Sequence, residues 1–128
     1  MRKAEVNMQK VICRYLRQYH PKVLYYSDLS GLYVSSIGVR KMMKQLRSGS
    51  GWPDLMIFEP RSKYHGLMIE LKAEGKGAFK KDGSLKSDPH LQEQNQMHEK
   101  LREKGYFVTF SEGIEETIDI IEKYLKMQ

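Results

Sequence analysis

Hydrophobic positions along the chain alternate between two periods, and the switches mark the elements. Met8, Val11, Ile12, Tyr15, Leu16 and Tyr19 fall on one helical stripe, so a helix is predicted from about Arg2 to Tyr19, closed by Pro21. Lys22 to Tyr26 is short and rich in Val and Tyr, which predicts a strand. SDLSGLYVSSIG reads as a loop, and Ile37 to Arg47 as a helix with Val39, Met42, Met43 and Leu46 in register. After the break SGSGWP come two strands, Leu55–Phe58 and Leu67–Lys72, joined by the hairpin-sized turn PRSKYHG. AEGKGAFKKDGSLKSDP is poor in apolar residues and predicts a mobile basic loop. Asp88 and Pro89 open a helix that runs to about Lys104 and ends at Gly105. Tyr106–Phe110 is predicted as a strand, Ser111–Gly113 as a turn, and about Ile114 to Lys126 as a final helix burying Ile114, Ile118, Ile121 and Leu125. The order is helix, strand, helix, strand, strand, helix, strand, helix. That predicts a mixed α/β domain with helices packed on a central sheet.

Composition narrows the class. One domain spanning 1–128 is expected from 128 residues, 40% hydrophobic and 30% charged. No apolar run approaches the ~20 residues of a membrane span, and the polar N-terminus lacks a signal-peptide stretch. The lone Cys13 forms no internal disulfide and reads as a small helix residue in a reducing, cytoplasmic setting. A net charge of +6 favours a polyanion partner, nucleic acid first, over a membrane surface.

The strands carry the chemistry. In Leu67–Lys72, the residues Leu67, Ile69 and Leu71 line one face, while Glu70 and Lys72 share the other. Pairing the two strands as a hairpin brings Asp54, at the mouth of the earlier one, near Glu70. Two carboxylates forced together need a cation, and hard oxygen ligands suit Mg²⁺ or Mn²⁺. A lysine one step along that face can orient water and offset charge on a phosphate oxygen. The bland alternative for Glu70 and Lys72 is a solvated strand face. The apolar run around Glu70 argues against it, because an unpaired buried charge is costly.

The spacing of G-x-P-D and E-x-K resembles the PD-(D/E)XK nucleases, and more narrowly the VRR-NUC family of small phage and bacterial type. The strands "GWPDL" and "MIELK", the helix carrying Glu5, and the later helix with Leu91, Gln94, Leu101 and Gly105 carry the likeness. The resemblance implies a restriction-endonuclease-like fold, a central mixed β-sheet flanked by helices. It implies metal ligation by Asp54, Glu70 and the backbone carbonyl of Leu71. Lys72 would position water and stabilise the transition state, Glu5 would reach the site from the first helix, and Gln94 would contact Lys72 or the scissile phosphate. Gln92 and Gln96 compete for that last role. The expected activity is Mg²⁺- or Mn²⁺-dependent hydrolysis of DNA, at branched structures such as a four-way junction or flap. A homodimer resembling Holliday-junction resolvases, in the cytoplasm of a bacterium or phage-infected host, is the expected working form. The alternatives are a non-cleaving nucleic-acid-binding module on the same fold and a repair- or restriction-type nuclease acting on linear DNA. One departure is Ser27–Gly31, where the family often has an Asn-Gly or similar polar turn. Asp28 there reads as turn-forming rather than as a further metal ligand.

Further residues fit DNA contact. Arg40, Lys44 and Arg47 share a helix face with Lys41 at its flank. Lys76, Lys80, Lys81 and Lys86 lie in the loop after Lys72. Tyr33 and Trp52 read as packing residues before base-stacking ones. The four histidines, His20, His65, His90 and His98, lack metal-ligand spacing and read as surface residues. Met42, Met43, Met56 and Met68 read as core filler.

Overall fold

Six consecutive residues, Leu67–Lys72, form the buried strand β3 at the centre of the sheet. It belongs to a computed structural model that describes residues 3–28 and 36–128. Tyr33 and most of the loop after Asp28 lie outside the described residues. The other elements are α1 (Lys3–Tyr19), β1 (Tyr25–Ser27), α2 (Ile37–Gln45), β2 (Leu55–Ile57), α3 (Pro89–Glu103), β4 (Phe107–Glu112) and α4 (Gly113–Leu125). This order is the one the hydrophobic pattern predicts.

The sheet runs β1-β2-β3-β4. β1 pairs antiparallel with β2, and β2 antiparallel with β3 through Leu55↔Ile69 and Ile57↔Leu67. β4 lies parallel to β3, with Glu70↔Phe110 and Lys72↔Glu112 in register. A parallel pair needs a crossover, and α3 provides it.

Alternation along β3 assigns each face its cover. Leu67, Ile69 and Leu71 pack with Leu55 and Ile57 against Met8, Ile12 and Leu16 of α1 and Ile121 and Tyr124 of α4. On the opposite face, Met68 packs with Val108 against Met97 and Leu101 of α3. Phe110, Leu91 and Ala78 continue that layer. Burying each large apolar side chain stabilises the fold by about 1.5–3 kcal/mol.

The boundaries differ where tertiary contact overrides local pattern. β1 is shorter than Lys22–Tyr26, because only Tyr25–Ser27 finds a ladder on β2. Ser111 and Glu112 continue β4 through their pairing with β3 instead of turning. Gly113, at φ 83°, then turns the chain directly into α4, a conformation other residues rarely adopt. Ile114 is left exposed, and Thr117 and Tyr124 take the buried positions on α4.

The basic segment after β3 is a pinned hairpin rather than a loose loop. Phe79 bridges Leu85, Lys80 N–H donates to Ser84 O at 2.7 Å, and Lys86 N–H donates to Ala78 O at 2.9 Å. Ala78 is buried against Leu91 and Phe110, which supplies the apolar anchor. Its lysines Lys76, Lys80 and Lys81 remain exposed.

Candidate active site

Asp54, Glu70, Lys72 and Gln94 are each exposed by less than a tenth of their surface, at 8%, 4%, 9% and 5%. Such burial of three ionisable groups is costly unless they find partners. The register Leu55↔Ile69 sets Asp54 opposite Glu70, and side chains opposite each other share a face. The hairpin reading of the sequence placed them together for the same reason.

Asp54 is held from both sides. Its Oδ2 accepts from Leu71 N–H at 2.9 Å. Its backbone carbonyl accepts from Asp28 N–H at 2.8 Å and from Ser27 Oγ at 3.0 Å. Gln9 of α1 donates to Ser27 Oγ and to the Asp28 carbonyl, both at 2.6 Å. Gln9 and Ser27 escape sequence reasoning, because nothing local ties α1 to the mouth of β2.

Glu70 is the most strained of the group electrostatically. Burial, followed by the adjacent Asp54 charge, holds its carboxyl well above the usual range. Asp54 is also raised, chiefly by burial, while the neighbouring Glu70 carboxyl and the Leu71 N–H pull it partly back down. Two carboxylates so placed share a proton or a cation. Glu70 Oε1 is buried with no hydrogen-bond partner. The charge of Glu5, from the first turn of α1, raises both groups further. Among the described residues, no group of three or more His, Cys, Asp or Glu side chains is arranged to hold a metal ion.

Lys72 Nζ donates to Gln94 Oε1 at 3.0 Å, so α3 reaches over the sheet to hold the ammonium. Gln92 and Gln96 are exposed, and of the three Gln94 is the one bonded to Lys72. Gly51 fixes the approach of α3 to the GWPD turn. Its φ is +86°, and a Cβ there would stand 2.8 Å from the Glu93 carbonyl and 3.1 Å from Gln94 Cα. Trp52 packs beside Met68, Met97 and Leu101, which is the packing use expected of it.

The remaining predicted residues lie outside this cluster. Arg40, Lys41 and Lys44 are exposed on α2, while Arg47 forms an ion pair with Asp28 at 3.1 Å. Met42 is 55% exposed rather than core, since α2 buries none of its residues. His98 is fully buried, against the surface reading of the histidines. It packs at a tilt against Phe110 with ring centroids 4.5 Å apart, and neither ring nitrogen has a partner. The helical spacing Leu91, Gln94, His98, Leu101 carried that signal. Glu112 was missed because it was assigned to a turn. Its Oε2 accepts from Gly75 N–H at 2.8 Å, and Gly77 passes so near that a Cβ would meet Oε1 at 1.9 Å. Glu112 therefore ties the hairpin to β4 beside Lys72.

The VRR-NUC domain model matches residues 10–113, most of the chain and all four buried site residues. The chain belongs to the VRR-NUC family. It is also similar to a solved structure of a VRR_NUC domain protein, with a TM-score of 0.63 and 24% identity, covering 97% of this chain and 89% of that one. That likeness shows a shared fold, the restriction-endonuclease-like arrangement of a mixed sheet between helices. No curated protein matches the chain. Membership makes this a nuclease-type domain, for which DNA is the implied substrate. Glu5 precedes the matched residues, so its place in the site rests on its charge alone. Among the described residues, no helix is long and apolar enough to cross a membrane.

Proposed function

We propose that this VRR-NUC chain is a metal-dependent endonuclease that hydrolyses DNA phosphodiester bonds. The observation that carries the reading is the buried Asp54–Glu70 pair with Glu70 Oε1 lacking a partner. A hard divalent cation, Mg²⁺ or Mn²⁺, fits this oxygen set, because it replaces the shared proton and satisfies the orphaned atom. On a strand, one residue's N–H and C=O point to the same side. Leu71 N–H meets Asp54, so the Leu71 carbonyl faces the same way and would be a further ligand. When bound, the cation supplies Lewis-acid charge and acidifies a water.

The side chains supply the rest. Asp54 and Glu70 would hold the cation and so set the position of the scissile phosphate. Lys72, fixed by Gln94, directs its ammonium at the attacking water and at the charge growing on a phosphate oxygen. Glu5 adds negative charge from α1, directly or through water. Arg40, Lys41 and Lys44 on α2, together with Lys76, Lys80 and Lys81 on the hairpin, would hold the DNA backbone. Arg47 would do so less, being engaged with Asp28.

The proposed substrate is branched DNA and the working unit a homodimer. Val39 and Met42 are exposed on a helix with no buried residue, as is Leu46 at its C-terminal cap, and a second copy would cover them. A two-fold dimer matches the symmetry of a four-way junction. A cleavage panel of junction, flap, splayed arm, single strand and linear duplex, with Mg²⁺ or Mn²⁺, tests the reading. Paired symmetric nicks on the junction are expected, and preferential cutting of linear duplex would displace that substrate. Asp54→Asn and Glu70→Gln should abolish cleavage yet spare junction binding in Ca²⁺. Full activity in either variant would sink the site assignment.

A further inference from the structure

Gln94 is held at both ends of its amide, and the second holder is His90. Gln94 Oε1 accepts from Lys72 Nζ at 3.0 Å, and Gln94 Nε2 lies 3.3 Å from His90 Nε2. His90 and Gln94 are four residues apart on α3, the spacing at which helix side chains meet. An ammonium offers only donors, so the amide must turn its carbonyl to Lys72 and its NH₂ to His90. An NH₂ only donates, so His90 Nε2 must accept, with the imidazole neutral and its proton on Nδ1. Protonation would put an N–H on Nε2, facing another donor. The contact then breaks in one of two ways. The amide flips and presents NH₂ to Lys72, or the exposed imidazole swings into solvent and leaves the amide unoriented.

We propose that His90 is a positioning residue for cleavage: its neutral form fixes the Gln94 amide, which in turn fixes Lys72, and its protonation releases both. This rests on the proposed role of Lys72 as a catalytic group. Asp88 Oδ1 caps the His90 backbone N–H at 2.8 Å, and Lys72 lies across Gln94 on β3. Glu93 follows on α3, and Lys86 of the hairpin presents its carbonyl to Gln92 at 2.9 Å. His98, one turn beyond Gln94, stays neutral across the range in which histidines ordinarily titrate, since burial pulls its pKa down to about 3.

The test compares pH profiles of kcat, at saturating Mg²⁺, for the wild type, His90→Gln and His90→Lys. Glutamine can accept from Gln94 and does not titrate, whereas lysine always donates. The ratio of wild-type to His90→Gln rates should fall as pH drops, since only the wild type can take up a proton at this position. His90→Lys should stay below His90→Gln by about tenfold at every pH, the size of one misdirected hydrogen bond to a charged group. Parallel wild-type and His90→Gln profiles would overturn the proposal. In parallel, the Gln94 side-chain amide resonances in a ¹⁵N spectrum should shift with His90 protonation and stand still in His90→Gln. Amide signals that ignore pH in the wild type would also overturn it, whatever the cleavage assay gives. If the wild type cuts no DNA while the amide still titrates, the positioning device stands and the nuclease role of Lys72 fails.

Discussion

The two faces of β3 are buried to a similar degree and could hardly differ more in content. Leu67, Ile69 and Leu71 are at most 1% exposed and sit in an apolar cluster with side chains of β2, α1 and α4. Glu70 and Lys72, on the other face, are 4% and 9% exposed beneath α3. The first face stabilises the fold by transfer from water. The second opposes it, because ions lose hydration that Asp54 and Gln94 only partly replace. A strand that carries both shows the apolar face supporting the charged one. Stability surplus on one side holds a strained constellation on the other, the usual place for such strain being a functional site.

Substitutions on the two faces should therefore separate activity from stability. The largest expected effect is on the charged face. Lys72→Met should lower the cleavage rate by about 10²–10³-fold, the range for one electrostatic group in a buried site. Single-turnover rates check this, and its unfolding should stay cooperative. On the apolar face, Ile69→Ala should cost about 2–5 kcal/mol of unfolding free energy, read from urea denaturation. A loss in Lys72→Met as large as that in Ile69→Ala would erase the contrast between the faces.

Gly51→Ala touches the link between them. It forces a side chain into a positive φ and against the Glu93 carbonyl, and should cost about 1–3 kcal/mol. Its cleavage rate should fall by more than its folded fraction does, since the contact seats the turn before Asp54 on the Glu93–Gln94 backbone. Rate and urea midpoint, measured on the same preparation, decide this.

The smallest effect sharpens the comparison through pH. His98 is pulled down from 6.5 to about 3, first by burial and then by the charges of Arg102 and Lys72. Between those values the unfolded chain takes up a proton that the folded chain refuses, so stability falls as pH falls. The slope from this one group approaches about 1.4 kcal/mol per pH unit. His98→Leu should flatten that part of the stability curve, and an unchanged slope would show that His98 already ionises in the fold.

Much of the site was legible before folding. The i, i+2 spacing of Glu70 and Lys72 puts them on one face by strand geometry alone, and a short turn makes the Asp54 strand their neighbour. Gln94 was legible through the family likeness and then set apart from Gln92 and Gln96 by its bond to Lys72. His98 was missed because histidine type was weighed and its helical position was not. Glu112 and Gln9 left no sequence signal for their contacts, since each meets a residue distant in the chain.

Local pattern by itself determined the order of elements and which residues share each face, because side-chain direction follows from backbone period. It could not determine what covers a face. Only the crossover of α3 over β3 turned Glu70 and Lys72 from a solvated pair into a buried one, and only that crossover set Gln94 against Lys72. Burial, the hydrogen bonds that offset it, and the carboxyl group raised by it are properties of distant segments brought together. They exist once the chain has closed on itself, and not before.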